Sequence, residues 1–275
     1  MMPIMDVLRY AAFSDRPDGG NPAGVVLDAS GLSDERMLEI AAEVGYSETA
    51  FLTGDDIRYF SPLAEVPFCG HATIATAVAL AERDGPGDRT FSTRSGLVPI
   101  TTRRDDQDRV TATLTSVVPR VEALEDLDEL LAALRWAPAD LDPELPPRVG
   151  FAGAFHPVLA ARTRERLADL SYDFERLGAL MAGRDWTTIQ LVWREEPLRF
   201  HSRNPFPPGG VVEDPATGAA AAALGVYLRE LGLVEPPATV TILQGEDMGR
   251  PGRLLVDLHA DRPEIDVTGT AVTLT

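Results

Sequence analysis

The chain has 275 residues, of which 44% are hydrophobic, so it can bury the core of one large domain or of two modest ones. Its formal net charge of −18 repels nucleic-acid phosphates and anionic membranes, which argues against binding to either. All 25 basic residues are arginine, and the absence of lysine excludes pyridoxal-phosphate enzymes, Schiff-base aldolases and P-loop proteins, since each needs a lysine amine.

The first half of the chain alternates predicted strands and helices. A strand led by Asn21-Pro22 precedes a helix and a second strand. A short strand, a Pro-rich loop and an Ala-rich helix come next, followed by a strand, a polar turn and a strand. In chain order these segments are Ala23–Leu27, Ser33–Val44, Ser47–Leu52, Arg58–Leu80 and Leu97–Leu114.

The second half repeats this order of elements. His156-Pro157 takes the place of Asn21-Pro22, and when His71–Leu80 is laid on Pro215–Leu224 several residues coincide, among them Thr73 with Thr217. The corresponding segments are Val158–Ala161, Tyr172–Met181, Thr187–Trp193, Arg199–Leu224 and Ala238–Leu258. The matching order predicts a duplication, with two halves of similar fold.

The repeat is interrupted near Pro119. Glu122–Trp136 reads as an amphipathic helix, and Ala137–Pro147 is an acidic, Pro-rich stretch typical of a connector. We therefore assign residues 1–118 and 263–275 to an N-terminal half and residues 119–262 to a C-terminal half.

Neither a targeting segment nor a membrane span is predicted. Met1–Tyr10 lacks a basic region followed by an apolar core, and no apolar run is long enough to cross a bilayer. The single cysteine, Cys69, cannot form an internal disulfide, which fits a reducing compartment. We therefore expect a cytoplasmic protein.

The common cofactor and hydrolase motifs are missing from the sequence. It has no GxGxxG opening a helix after a strand, no HExxH, no CxxC and no GxSxG. The four histidines, His71, His156, His201 and His259, show no metal-ligand spacing, so we expect no metal site. Chemistry would then depend on carboxylates, histidine, hydroxyls, cysteine or the backbone.

Asp214-Pro215 has two interpretations. It reads first as the start of a helix, with Asp214 as the N-cap and Pro215 at the first helical position. A functional interpretation is favoured by Gly209-Gly210, which would let the backbone approach a ligand closely. Glu213 beside Asp214 also places two carboxylates on one loop, where mutual repulsion can raise a pKa.

Gly70-His71 occupies the corresponding helix start of the first half. Alone, His71 could be a cap or a buried, hydrogen-bonded ring. The duplication relates the two helix starts, so we expect both to open on one cleft between the halves. Two helix N-termini there would supply N–H groups and positive dipole ends for a carboxylate without any lysine.

Glu48 and Cys69 also have alternative roles. Glu48 is the single acidic residue of the predicted strand Ser47–Leu52, and it is either a solvent-exposed charge on an edge strand or a cleft carboxyl. In a cleft, low dielectric and a nearby Asp214 would raise its pKa, so that it could both take and return a proton. Cys69 is either a thiol activated by a helix N-terminus and His71 or a small buried residue.

These segments resemble the phenazine-biosynthesis PhzF family, which shares its fold with diaminopimelate epimerase. The motifs run in family order along almost the whole chain: Gly20-Asn21-Pro22-Ala23, Ser47-Glu48-Thr49-Ala50-Phe51, Pro62 with Glu65-Val66-Pro67-Phe68-Cys69-Gly70-His71-Ala72-Thr73, Glu213-Asp214-Pro215-Ala216-Thr217-Gly218, and Gln244-Gly245 with Gly249-Arg250-Pro251.

The resemblance implies an α+β fold of two pseudo-symmetric halves, each a curved mixed sheet around a central helix, with the active site in the cleft between them. It implies a homodimer that uses no metal and no organic cofactor. Glu48 would be the proton shuttle and His71 and Asp214 would complete the catalytic set. The implied substrate-binding residues are Asn21, Ser47, Gly70, Ala72, Thr217, Gly218 and Ala219.

The family's phenazine enzyme isomerises trans-2,3-dihydro-3-hydroxyanthranilate, and two departures separate this sequence from its relatives. That enzyme has a serine where this chain has Ala219, which removes a hydroxyl contact. The epimerase relatives use one cysteine on each half, whereas here Cys69 stands opposite Pro215, which excludes a two-thiol racemase.

Three functions follow from these residues. The first is a cofactor-independent isomerase that moves a proton within a small carboxylate-bearing substrate. The second is a racemase or epimerase that uses Glu48 with Cys69 or Asp214. The third is a non-catalytic protein that binds small carboxylates.

Overall fold

A computed structural model describes residues 6–274 of the protein. Part of Met1–Tyr10, for which the sequence predicts no targeting segment, lies outside the described residues. The described residues divide into two compact units: one runs to Thr115 and resumes at Thr268, and the other spans Ser116–Val267. Within residues 6–274, no helix is long and apolar enough to cross a bilayer.

The first unit is a closed barrel with one helix inside it and one outside. Its elements are β1 Leu8–Ala12, β2 Asn21–Val26, α1 Asp34–Val44, β3 Glu48–Thr53, β4 Asp56–Phe60, β5 Glu65–Val66, α2 Gly70–Asp84, β6 Asp88–Thr93, β7 Gly96–Arg104, β8 Val110–Thr115 and the end of β17 Ile265–Thr273. Eight strands pair in the ring β1-β2-β3-β4-β6-β7-β8-β17, and β17 closes it by pairing with β1.

Helix α2 fills this barrel. Every residue from His71 to Ala81 is buried, which is the pattern of a helix that is surrounded on all sides. Its alanines leave room for the strands to pack closely around it. Outside the barrel, α1 buries Met37, Ile40 and Ala41 against β2, β3 and β4.

The second unit has the same plan. Its elements are β9 Arg120–Ala123, α3 Leu127–Leu134, β10 Arg148–Phe151, β11 Phe155–Ala160, α4 Arg164–Ala168, α5 Phe174–Arg184, β12 Gln190–Glu196, β13 Arg199–Phe206, β14 Val211–Asp214, α6 Gly218–Glu230, β15 Ala238–Gln244, β16 Gly252–Leu258 and the start of β17. Helix α6 is buried from Ala220 to Leu228, and it packs against β9, β10, β11 and β16. Gly150 of β10 allows this packing, since a Cβ there would lie 2.8 Å from the backbone oxygen of Ala223.

The strand directions demonstrate the duplication. In the first unit, β1–β2 is antiparallel, β2–β3 parallel, β3–β4 antiparallel, β4–β6 parallel and β6–β7 antiparallel. In the second, β10–β11, β11–β12, β12–β13, β13–β15 and β15–β16 follow the same alternation. The predicted α+β fold, with two pseudo-symmetric halves that each wrap a mixed sheet around a helix, is therefore confirmed.

One predicted element differs from the structure. The amphipathic helix expected over Glu122–Trp136 begins only at Leu127, because Arg120–Ala123 pairs with β10 as strand β9. The apolar residues that suggested the helix pack on the second unit's outer cluster, which includes Leu130, Leu134 and Leu180.

Candidate active site

Glu48 begins β3, a strand that is paired on both sides. Its neighbour in β2 is Ala23, and β4 pairs with the other edge of β3 from Thr49 onward. The Glu48 side chain is only 15% exposed. The alternative of a solvent-exposed charge on an edge strand is therefore wrong for Glu48.

Glu48, Cys69 and His71 form a compact cluster, although Glu48 comes from a strand and the other two from the start of α2. The Nε2 atom of His71 lies 3.4 Å from Oε2 of Glu48 and 3.4 Å from Oγ of Ser47. The Sγ atom of Cys69 lies 3.3 Å from Nδ1 of His71 and 3.8 Å from its Nε2. The fold thus brings together a carboxyl, a thiol and an imidazole. All three belong to motifs that the chain shares with the family it resembles.

Burial raises the pKa of the Glu48 carboxyl above its ordinary value of 4.5. Hydrogen bonds with Ser47 and Cys69 stabilise the charged form and oppose this shift, but desolvation is the larger effect. The pKa of Glu48 is therefore raised, as expected for a carboxyl in a cleft, and burial is the main cause. A carboxyl with a raised pKa is suited to exchanging protons near neutral pH.

The hydroxyl groups of Thr73 and Tyr59 stabilise the first turn of α2. Thr73 Oγ1 donates a hydrogen bond of 2.7 Å to the backbone oxygen of Cys69. The Tyr59 hydroxyl lies 2.6 Å from the same Thr73 oxygen, and both side chains are buried. Because Cys69 and His71 belong to this turn, these bonds fix where the thiol and the imidazole point.

Asp214 lies in the second unit, at the end of β14. The prediction that it is a helix N-cap is wrong, because α6 begins one turn later at Gly218 with Thr217 as its N-cap. Asp214 is still strand, since its neighbour across the ladder is Asn204 of β13. The side chain of Asp214 instead accepts a 2.5 Å hydrogen bond from the hydroxyl of Thr217.

Gln244 organises the loop between β14 and α6. Its amide oxygen accepts a hydrogen bond from the backbone nitrogen of Thr217 at 3.1 Å, and its amide nitrogen donates to the backbone oxygen of Asp214 at 2.8 Å. Gln244 was not among the predicted site residues. The signal for it was the Gln244-Gly245 pair in the family motif.

Glu213 does not share a site with Asp214. Successive residues of a strand point to opposite faces, and the Glu213 carboxylate accepts a hydrogen bond of 2.9 Å from Nε of Arg203. Both side chains of this ion pair are nearly buried, with 11% of Arg203 and 7% of Glu213 exposed. The sequence suggested that Glu213 and Asp214 repel each other on one loop, whereas in the structure Glu213 pairs with Arg203.

The other predicted substrate-binding residues lie at the starts of elements. Asn21 begins β2 and is buried, Ser47 precedes β3, and Gly70 is the first residue of α2. Ala72 is fully buried, with none of its surface exposed. Gly218 and Ala219 are the first two residues of α6. Neither helix receives a capping hydrogen bond from the side chain of its N-cap residue, Cys69 or Thr217.

The second unit has a neutral counterpart of Glu48. The prolines at positions 22 and 157 are equivalent in the repeat, and the residues after them, Ala23 and Val158, pair in parallel with Glu48 and Gln190. Gln190 is therefore the structural equivalent of Glu48. It is fully buried, but an amide cannot accept and return a proton as a carboxylate does.

The helix-filled barrel of the first unit and the same strand order around α6 in the second define an epimerase-like α+β fold. The first unit carries a buried carboxyl beside a histidine, two groups that are suited to acid/base chemistry. A solved structure of a probable proline racemase from Agrobacterium radiobacter shares this fold, with a TM-score of 0.67 over 98% of this chain and 90% of that one, at 14% identity. The predicted epimerase-like architecture is thereby confirmed.

The chain belongs to the PhzC-PhzF family, described as phenazine biosynthesis-like proteins, whose sequence model matches residues 10–275. A trans-2,3-dihydro-3-hydroxyanthranilate isomerase of Pseudomonas aeruginosa is 36% identical over 88% of this chain and 86% of its own length. The crystal structure of a Bacillus anthracis PhzF-family protein superposes with a TM-score of 0.88, at 28% identity, over 98% of this chain and 96% of that one. The protein is accordingly an isomerase of this family.

Proposed function

We propose that the protein catalyses a cofactor-independent proton shift within a small carboxylate-bearing substrate, with Glu48 as the proton shuttle. The main support is the position of the Glu48 carboxyl, which is largely buried, lies 3.4 Å from the imidazole of His71 and has a raised pKa. These properties are the ones a carboxyl needs to act first as a base and then as an acid.

In the proposed reaction, the Glu48 carboxylate removes a proton from one carbon of the substrate and becomes a neutral acid. The electron pair left behind is delocalised into the substrate, and Glu48 then returns the proton to a second carbon on the same face. A raised pKa brings the free energies of protonated and ionised Glu48 closer together near neutral pH. Neither the transfer of the proton to Glu48 nor its return to the substrate is then strongly unfavourable. His71 would orient the carboxyl and exchange a hydrogen bond with it in both states.

The start of α2, where His71 lies, supports a carboxylate substrate. The first-turn N–H groups of this helix are donors suited to a carboxylate, and its positive dipole end favours an anion even in an acidic protein. The P. aeruginosa relative is named for trans-2,3-dihydro-3-hydroxyanthranilate, and we propose a carboxylate of that kind. Ala219 cannot offer a side-chain hydrogen bond, so the substrate we expect lacks the polar group that a serine would contact.

The racemase alternative with Cys69 as second base fits the geometry poorly. Two bases that act on opposite faces of one carbon must each come within about 3 Å of it, so they stand roughly 6 Å apart. The reactive atoms of Glu48 and Cys69 lie within 4.8 Å of each other. Cys69 is thus placed beside Glu48, as a neighbour on the same side. A catalytic role for Asp214 is a separate proposal that Asp214→Asn would test.

The defining experiment measures hydrogen exchange. The purified protein is incubated in heavy water with a panel of cyclic carboxylates, including the dihydro-hydroxyanthranilate, and deuterium uptake and product formation are followed by NMR. We expect uptake and isomerisation by the wild type and a loss of at least about 100-fold in Glu48→Gln, because general acid–base groups typically contribute 10²–10⁴. Glu39→Gln, which changes an exposed glutamate of α1, is the matched control.

Equal deuterium uptake by the wild type and Glu48→Gln would remove Glu48 from the shuttle role. Turnover of another carboxylate but not of the dihydro-hydroxyanthranilate would retain the proton shift and reject that substrate. Ala219→Ser tests the same point, because the added hydroxyl should raise activity towards a substrate with a hydrogen-bonding group at that place.

The resemblance to the family also leads us to propose that the protein works as a cytoplasmic homodimer. Its single cysteine and lack of disulfides suit a reducing compartment. Sedimentation equilibrium should give twice the chain mass, and a monomer at micromolar concentration would reject the dimer.

A further inference from the structure

We propose that Glu48, Cys69 and His71 also form a binding site for a zinc-type divalent cation, and that this cation switches the isomerase off. The inhibitory part of this inference rests on the proposed function of Glu48. The binding part does not, since it follows from the three side chains alone.

The three ligand types suit zinc. A carboxylate, a thiolate and an imidazole are the side chains that zinc selects, and three protein ligands with an open fourth position are typical of exchangeable or catalytic zinc sites. Their ligand atoms lie within 4.8 Å of one another. Cys69 and His71 are buried and Glu48 is largely so, which means that their side chains are already ordered before an ion binds.

The distances agree with tetrahedral coordination through Nε2 of His71. Ordinary zinc–ligand bond lengths place a coordinating nitrogen about 3.6 Å from a coordinating sulfur and about 3.4 Å from a coordinating oxygen. In the structure, Nε2 lies 3.8 Å from Sγ of Cys69 and 3.4 Å from Oε2 of Glu48. The third pair of ligand atoms, on Glu48 and Cys69, lies within 4.8 Å, and a rotation of the carboxylate or the thiol towards the other would bring the pair to the separation that zinc needs.

The charges balance in favour of binding. The positive end of α2 opposes a cation, but the Glu48 carboxylate and the Cys69 thiolate together supply two negative charges. In the binding step the cation forms one bond each to oxygen, sulfur and nitrogen, and the thiol proton, together with the carboxyl proton of any protonated Glu48, is released to solvent. No oxidant or other reactant is required.

Occupation of this site would inhibit proton transfer. The metal takes the lone pair with which Glu48 would accept a proton, so the bound ion and the reaction compete for one carboxylate. The spacing of the four histidines does not predict this set, because Glu48 reaches Cys69 and His71 only through the fold.

The test uses Co²⁺ as a spectroscopic probe of the metal-free wild-type protein. Because Cys69 is the single cysteine, a thiolate-to-cobalt charge-transfer band in the near ultraviolet must come from it. We expect this band together with intense visible bands of tetrahedral cobalt, both saturating at one ion per chain and both displaced by Zn²⁺. Excess Mg²⁺ should not displace them, because this oxygen-seeking ion avoids thiolates.

Two variants complete the binding test. Cys69→Ser should abolish the charge-transfer band and weaken Zn²⁺ binding by at least about 100-fold, since changes even beyond the direct ligands cost 10–100-fold. His201→Gln, which alters a histidine beside Glu195 and Glu246 in the second unit, should leave the spectrum unchanged. The wild-type spectrum is decisive if Cys69→Ser fails to fold. Saturation with Co²⁺ without a thiolate band would overturn the site.

The inhibition is measured separately, with the deuterium-exchange assay. Zn²⁺ at one equivalent should suppress exchange by at least about tenfold, and a chelator should restore it. If the protein binds cobalt with the thiolate band but its metal-free form shows no exchange activity, the proposed function, and not the site, has failed. Full activity in the zinc-loaded protein would overturn the switch.

Discussion

Gln190 holds in the second unit the strand position that Glu48 holds in the first. Each residue pairs, across a parallel ladder, with the residue that follows the equivalent proline of its unit. The duplicated fold therefore places a carboxyl at this position in one unit and an amide in the other. The difference between the two is a single functional group. It leaves one ionisable carrier at this pair of positions, which favours a shuttle that takes and returns its own proton over an exchange between two equivalent bases.

Glu48→Gln is expected to stabilise the protein while it abolishes exchange. Burial raises the pKa of Glu48 in the folded protein, so the wild type is destabilised as pH rises above 4.5 and the unfolded chain becomes charged more readily than the folded one. The variant should therefore match the wild type near pH 4 and exceed it by about 1 kcal/mol near pH 7.5, a common gain when a functional group is removed. Urea unfolding at both pH values measures this, and a variant that is less stable at neutral pH would contradict it.

His156 should make the second unit sensitive to acid. This fully buried imidazole, with Nδ1 2.9 Å from the Thr188 hydroxyl, has its pKa lowered from 6.5 to about 4 by desolvation. Between those values the unfolded chain binds a proton that the folded chain does not, so stability present above pH 6.5 is lost as pH falls, by about 3 kcal/mol in total.

His156→Asn tests this origin of the acid sensitivity, because asparagine can retain the bond to Thr188 without titrating. The stability lost between pH 7.5 and pH 4.5, measured by urea unfolding, should be smaller in the variant than in the wild type. Parallel curves for the two proteins would show that another group is responsible.

Two glycine-to-alanine changes should have opposite effects. In Gly150→Ala the new methyl group meets the backbone of Ala223 in the buried helix α6, and we expect a loss of about 1–3 kcal/mol from overpacking. In Gly183→Ala, on α5, the methyl group enters open space and raises helix propensity, so a gain of up to about 1 kcal/mol is expected. Chemical denaturation of both variants provides the comparison. A stable Gly150→Ala variant would contradict the close approach of β10 to α6.

The Arg203–Glu213 ion pair should be costly to break. Glu213→Gln leaves a largely buried guanidinium without its carboxylate, and such losses are typically about 3–5 kcal/mol. Glu39→Gln, which breaks a surface pair with Arg36, should cost less than about 1 kcal/mol. If the two variants unfold at the same urea concentration, the buried pair contributes no more than the exposed one.

Much of the fold was predictable because local patterns agreed with one another. The repeated order of elements around Asn21-Pro22 and His156-Pro157 predicted two halves of similar fold, and the matching strand directions of the two units agree with it. The Ala-rich segments predicted two helices, and the family resemblance implied that each lies at the centre of its sheet. Both helices are buried along most of their length, as expected for a helix that is covered on every side. The grouping of Glu48 with His71 came from the family motif, and composition alone favoured a different position for Glu48.

Other features depend on contacts between distant parts of the chain. The late start of α6 is set by Gln244, which holds Thr217 and Asp214 from a strand that follows the helix. Arg203 neutralises Glu213 only because β13 and β14 pair. Residues 120–123 form strand β9, although residues 122 and 123 belong to an amphipathic pattern, because they pair with the edge of β10. No window of local sequence contains these partners.

The closing strand β17 also sets an order for folding during synthesis. Residues 268–273 complete the first barrel between β8 and β1, yet the ribosome makes them after the whole of the second unit. The second unit can therefore collapse on the emerging chain while the first still has an unpaired edge on β1 and another on β8. The strand pair that places Glu48 therefore becomes part of a closed barrel only after residues 268–273 have been made.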